Sequence, residues 1–423
     1  MALAAVACSA AATRRPVRTT STSDGVVAPV TRARSPRDAS LRSVRIALAR
    51  SVTRARIAAD SEWNLHGGED GSVVARSMAG ESWTIELVDG RLLARSASGT
   101  ATEAAYAVLV ARPSTPAGTI NFNGRRWRGE IVVRADARGM LLVVNRLPMD
   151  EYLKGVVPLE IGTRAMSDFA AAEAQAVAAR SYAYVHLAGP DRPYDMLATV
   201  SDQVYGGVNA ETMLGNQAVE NTAGLVLMFD GRVVNAPYHG NCGGFTAEPG
   251  DAWRSGPEPY LRRVSDQIPG TDRFYCESGP KFRWTRSYTG EELRQSIVRY
   301  LRALPSGPET IAGVRSLAVT EVTPAGRVAA LTVDTERGRW TLRGNEIRAA
   351  LRTVSGEMLY STYFSVDVVE GRGEVRSVAL RGGGNGHGIG MCQSGAIGRA
   401  RAGQDFRTIL STYYPGTTID TID

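Results

Sequence analysis

A carboxyl group does acid–base work near neutral pH only if its surroundings hold its proton, and one glutamate in this chain has such a setting. Glu160 follows the run Gly155-Val156-Val157-Pro158-Leu159 and precedes Ile161 and Gly162. Apolar neighbours disfavour the charged carboxylate and raise its pKa, so Glu160 is the leading catalytic candidate, a proton donor to a glycosidic oxygen. Ordinary glycoside hydrolysis needs a second carboxyl across the scissile bond. Asp150, Glu151 and Asp202 are available, and context singles out none of them. A one-carboxylate route therefore stays open, in which a hydroxyl of the sugar replaces water and the same glutamate acts first as acid, then as base.

Two further clusters carry chemistry. Around His387, Gly382-Gly383-Gly384-Asn385-Gly386-His387-Gly388 lets backbone approach a ligand closely, but its spacing is neither a dinucleotide fingerprint nor a P-loop. A functional histidine and a structural turn both fit it. His239 and Cys242 stand in H-x-x-C spacing, with Cys276 as a third donor, a set that suits zinc but leaves a fourth ligand unnamed. A Cys242–Cys276 disulfide and a free buried Cys242 are the alternatives. No G-x-S-x-G elbow is present for a serine hydrolase.

These residues need elements to position them. From Leu41 to about Ala137, short β-like runs alternate with turns, and Asp89-Gly90, Asn123-Gly124 and, further on, Asp230-Gly231 read as tight hairpin pairs. Met140–Val144 is continuously apolar and reads as a strand buried on both faces. It leads directly into Arg146–Glu160. An alanine-rich helix follows, with Ser167 as its cap and Phe169, Ala172, Ala176, Ala179, Ala183 and Leu187 on one face. Residues 211–223 and 291–304 read as helices, and four strands follow between 317 and 369. The expected fold is mixed α+β: a β-rich part over 41–145, a helix-containing catalytic region over 146–285, and a β-rich C-terminal part over 286–423 with the Gly-His loop, all around one cleft.

The composition is that of a globular chain, with 43% hydrophobic and 22% charged residues in 423. Residues 1–60 hold eleven Arg against three Asp, a net +8, so residues 61–423 are slightly acidic. Residues 1–40 read as a leader and an Arg-rich linker. A nucleic-acid module is not indicated, since the basic residues are not on an aromatic-laced face. No apolar run approaches the ~18–20 residues of a membrane span. Met1–Ala12 is similar to the tail of a secretory signal, and Cys8 is a candidate for lipidation, so export to the envelope, periplasm or exterior is expected.

Six stretches in order resemble the stage II sporulation protein D/amidase-enhancer (SpoIID/LytB) family. They are Arg146–Glu160, Ala174–Ala183, Gln203-Val204-Tyr205-Gly206, Tyr238-His239 with Cys242-Gly243-Gly244, Gly386–Met391 with Gln393, and Tyr413-Tyr414-Pro415-Gly416. The resemblance spans roughly residues 41–420. It implies an envelope protein acting on peptidoglycan glycan strands, of lytic-transglycosylase type, cutting peptide-free strands to leave a 1,6-anhydro end. Glu160 then corresponds to the family's catalytic acid. Arg180, Tyr182, Gln203, Tyr205, His387, Gly388 and Gln393 become the expected glycan-binding residues. Zinc is associated with the family near His239 and Cys242. Other members are amidase enhancers, so a non-catalytic glycan binder working with a cell-wall amidase is the competing expectation. Membership does not imply that the source organism sporulates.

Overall fold

Three two-residue hairpins open the architecture, and each forms where a Gly-containing pair allows both central residues a positive φ. Asp89-Gly90 (47° and 76°) joins strands Trp83–Val88 and Arg91–Ser96; Asn123-Gly124 (53° and 73°) joins Ile120–Phe122 and Arg125–Trp127. Asp230-Gly231 joins Leu225–Phe229 to the short Arg232–Val233. The computed structural model of the protein describes residues 43–253 and 255–421. The leader over 1–40, the Arg-rich linker and Cys8 lie outside the described residues.

The N-terminal strands make two sheets. One has seven strands, in the order Met196–Leu197, Ser43–Val52, Leu141–Pro148, Glu130–Ala135, Val108–Pro113, Trp63–Gly67 and Val73–Ser77; the other has five, built on Arg54–Ala59 and Trp83–Val88. Leu141–Pro148 lies between Ser43–Val52 and Glu130–Ala135, antiparallel to both. Its alternate residues serve two different clusters. Leu141, Val143 and Leu147 join the main core, while Leu142 and Val144 pack with Ala47, Val110 and Val132 on the opposite face. This two-sided burial matches the unbroken apolar run.

The helix Phe169–Val185 departs from the single-face stripe expected of it. Every residue from Ala174 to Ser181 is buried. The helix is a central post, packed by Met213–Asn221, Gln393–Arg401, Phe406–Tyr413 and the strand Leu225–Phe229. Alanine permits such close approach from all sides. The polar residues are satisfied internally instead of facing water: the Ser181 hydroxyl donates to the Val177 carbonyl (2.8 Å) and accepts from the Leu227 N–H (2.9 Å). Nor does Ser167 cap this helix. The chain enters it through a 3-10 turn, Met166–Asp168, with Asp168 in the cap position, and neither side chain caps. Asp168 is held by Arg401, with Nε–Oδ1 at 2.7 Å.

The core divides at Trp284. Residues 284–380 build their own cluster from the helix Gly290–Arg302, two three-stranded sheets and the short helix Asn345–Ala350. The chain then returns to the first core. Met391–Cys392 pairs in parallel with Tyr238–His239, and Thr418–Thr421 pairs with Leu225–Phe229. The C-terminal part expected over 286–423 is thus an inserted lobe plus a returning segment. The fold class is α+β, rich in strand toward both ends. No helix among the described residues is long and apolar enough to cross a membrane.

Candidate active site

Glu160 sits on a one-turn helix, Val157–Ile161, with Pro158 in its first turn and Gly162 ending it at φ 79°. The buried strand Leu141–Pro148 runs straight into the helix Met149–Lys154, and Gly155-Val156 turns the chain into the Glu160 helix. A Cβ at Gly155 would lie 2.6 Å from the Tyr205 ring. Only glycine lets the turn and the 203–206 segment meet, and the Gly206 N–H closes the contact on the Gly155 carbonyl (3.1 Å). That contact places the Val204 N–H against Glu160 Oε1, at 2.6 Å.

The electrostatics follow from this setting. Burial raises the Glu160 pKa to about 7, and the Val204 N–H only partly opposes it. Oε2 accepts no hydrogen bond among the described residues, so one oxygen is anchored and the other is available to carry a proton. Three phenols stand near enough for the Glu160 charge to raise their pKa values further, after burial: Tyr152, Tyr182 and Tyr238. Tyr182 is half-buried, stacked on His186 at 4.0 Å, and its hydroxyl has no hydrogen-bond partner among the described residues.

The other acids are committed elsewhere. Asp150 pairs with Arg180 (2.8 Å), and Glu151 with Lys154 (3.1 Å) and Arg128 (3.2 Å). Asp202 is the acid that shares the Glu160 surroundings, since its charge also acts on Tyr152 and Tyr182, but one of its oxygens accepts the Leu197 N–H (2.8 Å).

Several residues expected to touch glycan stand behind the surface. Arg180 is 3% exposed; besides Asp150 it donates to the Leu225 and Val219 carbonyls, so its guanidinium ties the central helix to its neighbours. Gln203 is fully buried. It accepts from the Tyr152 hydroxyl (3.1 Å) and donates to the Tyr238 hydroxyl (3.0 Å) and the Ala179 carbonyl (3.2 Å), linking two of the phenols beside Glu160. Tyr205 donates to Asn145 Oδ1 (2.8 Å) under the ring of Trp127. Gln393 donates to Gln175 in the core (3.1 Å). As folded, these four side chains are buried and hydrogen-bonded within the protein. Tyr238, the partner of Gln203, stands in one of the family-like stretches, whereas Asn145, the partner of Tyr205, carried no local signal.

His387 lies on the adjacent loop, its ring against Trp253 (4.9 Å) and His239 (5.5 Å). Its Nδ1 accepts the Ile389 N–H (3.1 Å). Burial, with the charges of Arg348 and Arg327, lowers its pKa to about 3, so it is a neutral imidazole. Gly388 is buried at φ 87°, and a Cβ there would strike the Arg327 guanidinium.

The expected metal set changes membership. Cys242 and Cys276 do come together, with their sulfurs 3.5 Å apart as free thiols. His239 is not in that cluster; its Nδ1 is bound to the Ile389 carbonyl (3.1 Å), and its buried Nε2 has no hydrogen-bond partner among the described residues. The other donors at the cluster are Cys392 and Asp266. Neither is near Cys242 in sequence, which is why spacing did not find them.

Surface concavity does not select the Glu160 site. A depression of about 950 Å³ lies instead among Arg50, Arg134, Asp136, Arg138, Asp191 and Tyr194. Glu160 is distinguished by its burial and raised pKa instead.

Comparison with known proteins agrees with this region. Residues 137–229, which include Glu160 and Gln203, match the family described as stage II sporulation protein. Residues 271–390, close to the inserted lobe, match a domain of unknown function (DUF8618). The chain is 30% identical over 286 residues to an uncharacterized protein of Brachyspira hyodysenteriae, covering 66% of this chain and 68% of that one. It is 29% identical over 307 residues to the amidase enhancer of Bacillus subtilis, covering 63% of this chain but only 40% of the enhancer. Stage II sporulation protein D of Bacillus subtilis is 27% identical over 296 residues, with 66% and 76% covered. The chain belongs to the stage II sporulation protein D/amidase-enhancer (SpoIID/LytB) family.

Proposed function

We propose that this protein is an exported enzyme that cleaves peptidoglycan glycan strands by a lytic-transglycosylase route, with Glu160 as its single acid and base. The observation that carries this reading is a carboxyl with one oxygen fixed by the Val204 N–H, the other without a protein partner, and a pKa near 7. Such a group is protonated in a large fraction of molecules at neutral pH and is also a competent base after giving up its proton. In the first half of the reaction Glu160 donates its proton to the glycosidic oxygen as the C1–O bond breaks. In the second half its carboxylate takes the proton of the same sugar's 6-hydroxyl as that oxygen bonds to C1. Atoms and charge balance without water, and the product carries a 1,6-anhydro end. The ion pairs of Asp150 and Glu151 leave Asp202 as the remaining candidate for the second carboxylate that hydrolysis needs, and one of its oxygens is held by the Leu197 N–H. Tyr182 offers the nearby unpartnered hydroxyl as a contact for the sugar.

Incubation of purified protein with peptide-free glycan, followed by mass spectrometry, tests the reading. Anhydro-ended fragments are expected from the wild type and not from Glu160→Gln; equal product from both removes Glu160 from the chemistry. A second reading rests on the similarity to the amidase enhancer. In it the chain binds glycan without cutting and stimulates a cell-wall amidase. It predicts faster amidase turnover on adding the protein, unchanged in Glu160→Gln.

A further inference from the structure

Two arginines of the inserted lobe meet the His387 loop, and neither faces an anion among the described residues. Arg327 lies in the turn between the strands Val314–Val322 and Val328–Thr335 and is 2% exposed. Its Nη1 is buried without a hydrogen-bond partner, and its guanidinium makes no ion pair among the described residues. The turn fixes where the side chain starts: the Arg327 N–H donates to Thr323 Oγ1 (3.3 Å), and the Thr323 N–H donates to the Arg327 carbonyl (2.8 Å). From there it reaches the loop, where a Cβ on Gly388 would collide with Nη2. Arg348 is half-buried on the helix Asn345–Ala350, and burial together with the Arg327 charge lowers its pKa to about 10. Its Nε donates to the Leu359 carbonyl (2.9 Å) and its Nη1 to Asn345 Oδ1 (3.2 Å).

We propose that Arg327 and Arg348 form a carboxylate-binding site, and that the carboxylate it takes is the lactyl group of a muramic acid in the glycan strand. The choice of glycan as the source rests on the function proposed above; the anion site itself does not.

The physical case is an unbalanced charge. A buried guanidinium is costly unless an anion faces it and its N–H groups find acceptors. The charges that reach Arg327 are those of Cys242, Asp251 and Tyr363, with Arg263 opposing them. None of these groups accepts from it. Asp251 Oδ2 takes the Glu248 N–H (2.9 Å), and the Tyr363 ring centre is 5.8 Å from the guanidinium. A charge at a distance, such as that of Cys242, does not satisfy a hydrogen-bond donor. A water molecule would satisfy Nη1 but leave two like charges uncompensated. A carboxylate does both, since its oxygens match the guanidinium fork. The neighbouring imidazoles supply no negative charge: burial, with both arginine charges, holds His387 and His239 neutral.

The position of the pair names the carboxylate. His239 follows Tyr238, whose phenol feels the Glu160 charge, and the His387 ring is 5.5 Å from that of His239. The arginines therefore stand within a few sugar units of the reactive carboxyl. His387 and Trp253, both half-buried with rings 4.9 Å apart, bring the cluster to the surface. Along a wall glycan the anionic group is the lactyl carboxylate of muramic acid, and an attached peptide turns it into a neutral amide. The pair thus separates bare muramic acid from the substituted form.

Calorimetric titration of the full chain tests the site. The probes are the disaccharide of N-acetylglucosamine and N-acetylmuramic acid, the same disaccharide amidated at the lactyl group, and sodium acetate. The acid should bind at least tenfold tighter than the amide, and tighter than acetate. Arg327→Met keeps the apolar stem and removes the charge. It should weaken binding of the acid at least tenfold, to the level of the amide, while its ligand-free Tm equals or exceeds that of the wild type, because an uncompensated buried charge is gone. Equal binding of acid and amide by the wild type would overturn the site, as would acid binding unchanged in Arg327→Met or a Tm several degrees lower in that variant. Acetate binding as tightly as the disaccharide would overturn the glycan as its source. Glu160→Gln should bind the acid as the wild type does, so a failure of the cleavage reading and a failure of this site are told apart.

Discussion

Replacing Glu160 by glutamine should stabilise the protein in alkaline solution while abolishing its chemistry. In the folded chain the carboxyl titrates near 7; unfolded, it returns to about 4.5. The native state therefore holds its proton more tightly, and between these two values it binds more protons than the unfolded state. Stability contributed by the protonated group is complete below pH 4.5, declines as pH rises toward 7, and is gone above it. At about 1.4 kcal/mol per tenfold change in proton affinity, the loss is roughly 3 kcal/mol. For a cooperative unit of this size that corresponds to about 5 °C in Tm. Glutamine has nearly the same shape, can still accept the Val204 N–H through its carbonyl, and does not ionise. Thermal melts of both proteins from pH 4.5 to 8.5 should start close together and diverge to about 5 °C, with Glu160→Gln the more stable at high pH. Other titrating groups cancel in the difference. A gap that stays constant across this range would mean that Glu160 is not held in a desolvated setting, and the argument for it as a proton donor would fail. With substrate, the wild type should lose activity above pH ~7 as the acid form disappears, and Glu160→Gln should fall by about 10²–10⁴-fold.

Tyr182→Phe should leave Tm within about 1 °C yet lower kcat/KM on glycan by roughly tenfold, the worth of one hydrogen bond to substrate; steady-state kinetics beside a melt separates the two effects. Gln203→Ala removes the partner of two buried phenols and should cost about 2–4 kcal/mol, read by denaturant unfolding. Arg180→Ala should cost about 3–5 kcal/mol through two orphaned carbonyls and a cavity, and the KM of whatever folds should be unchanged. Gly395→Ala forces a methyl group into Asp266 and Tyr413 and should destabilise by about 1–3 kcal/mol or more, visible in the same melts.

What the sequence displayed was whatever local chemistry determines. Asp89-Gly90, Asn123-Gly124 and Asp230-Gly231 turn as they do because two residues that accept a positive φ suffice to select a tight hairpin turn. The setting of Glu160 was partly visible in Val156-Val157-Pro158, since neighbours in sequence supply part of its burial. The rest depends on contacts between residues far apart. Nothing near Cys242 indicates that Cys392, 150 residues on, closes the same cluster. The alanines of Phe169–Val185 hid a post buried all round, because alanine is compatible with one packed face or with four. Arg180 and Gln203 looked like ligand contacts for a related reason: polar residues inside a core and polar residues on a cleft are the same letters. Their roles separate only when burial and partners are known.

The inserted lobe leaves and re-enters the first core side by side: Trp284 pairs with Gly382 across adjacent strands, and the Trp284 indole N–H donates to the Gly384 carbonyl (2.9 Å). The lobe also reaches the His387 loop, since the Gly386 N–H donates to the Tyr360 carbonyl (2.8 Å) and Arg327 packs against Gly388, so a change in the lobe is felt at that loop. The match of residues 271–390 to a domain of unknown function takes in the lobe together with both junctions and His387.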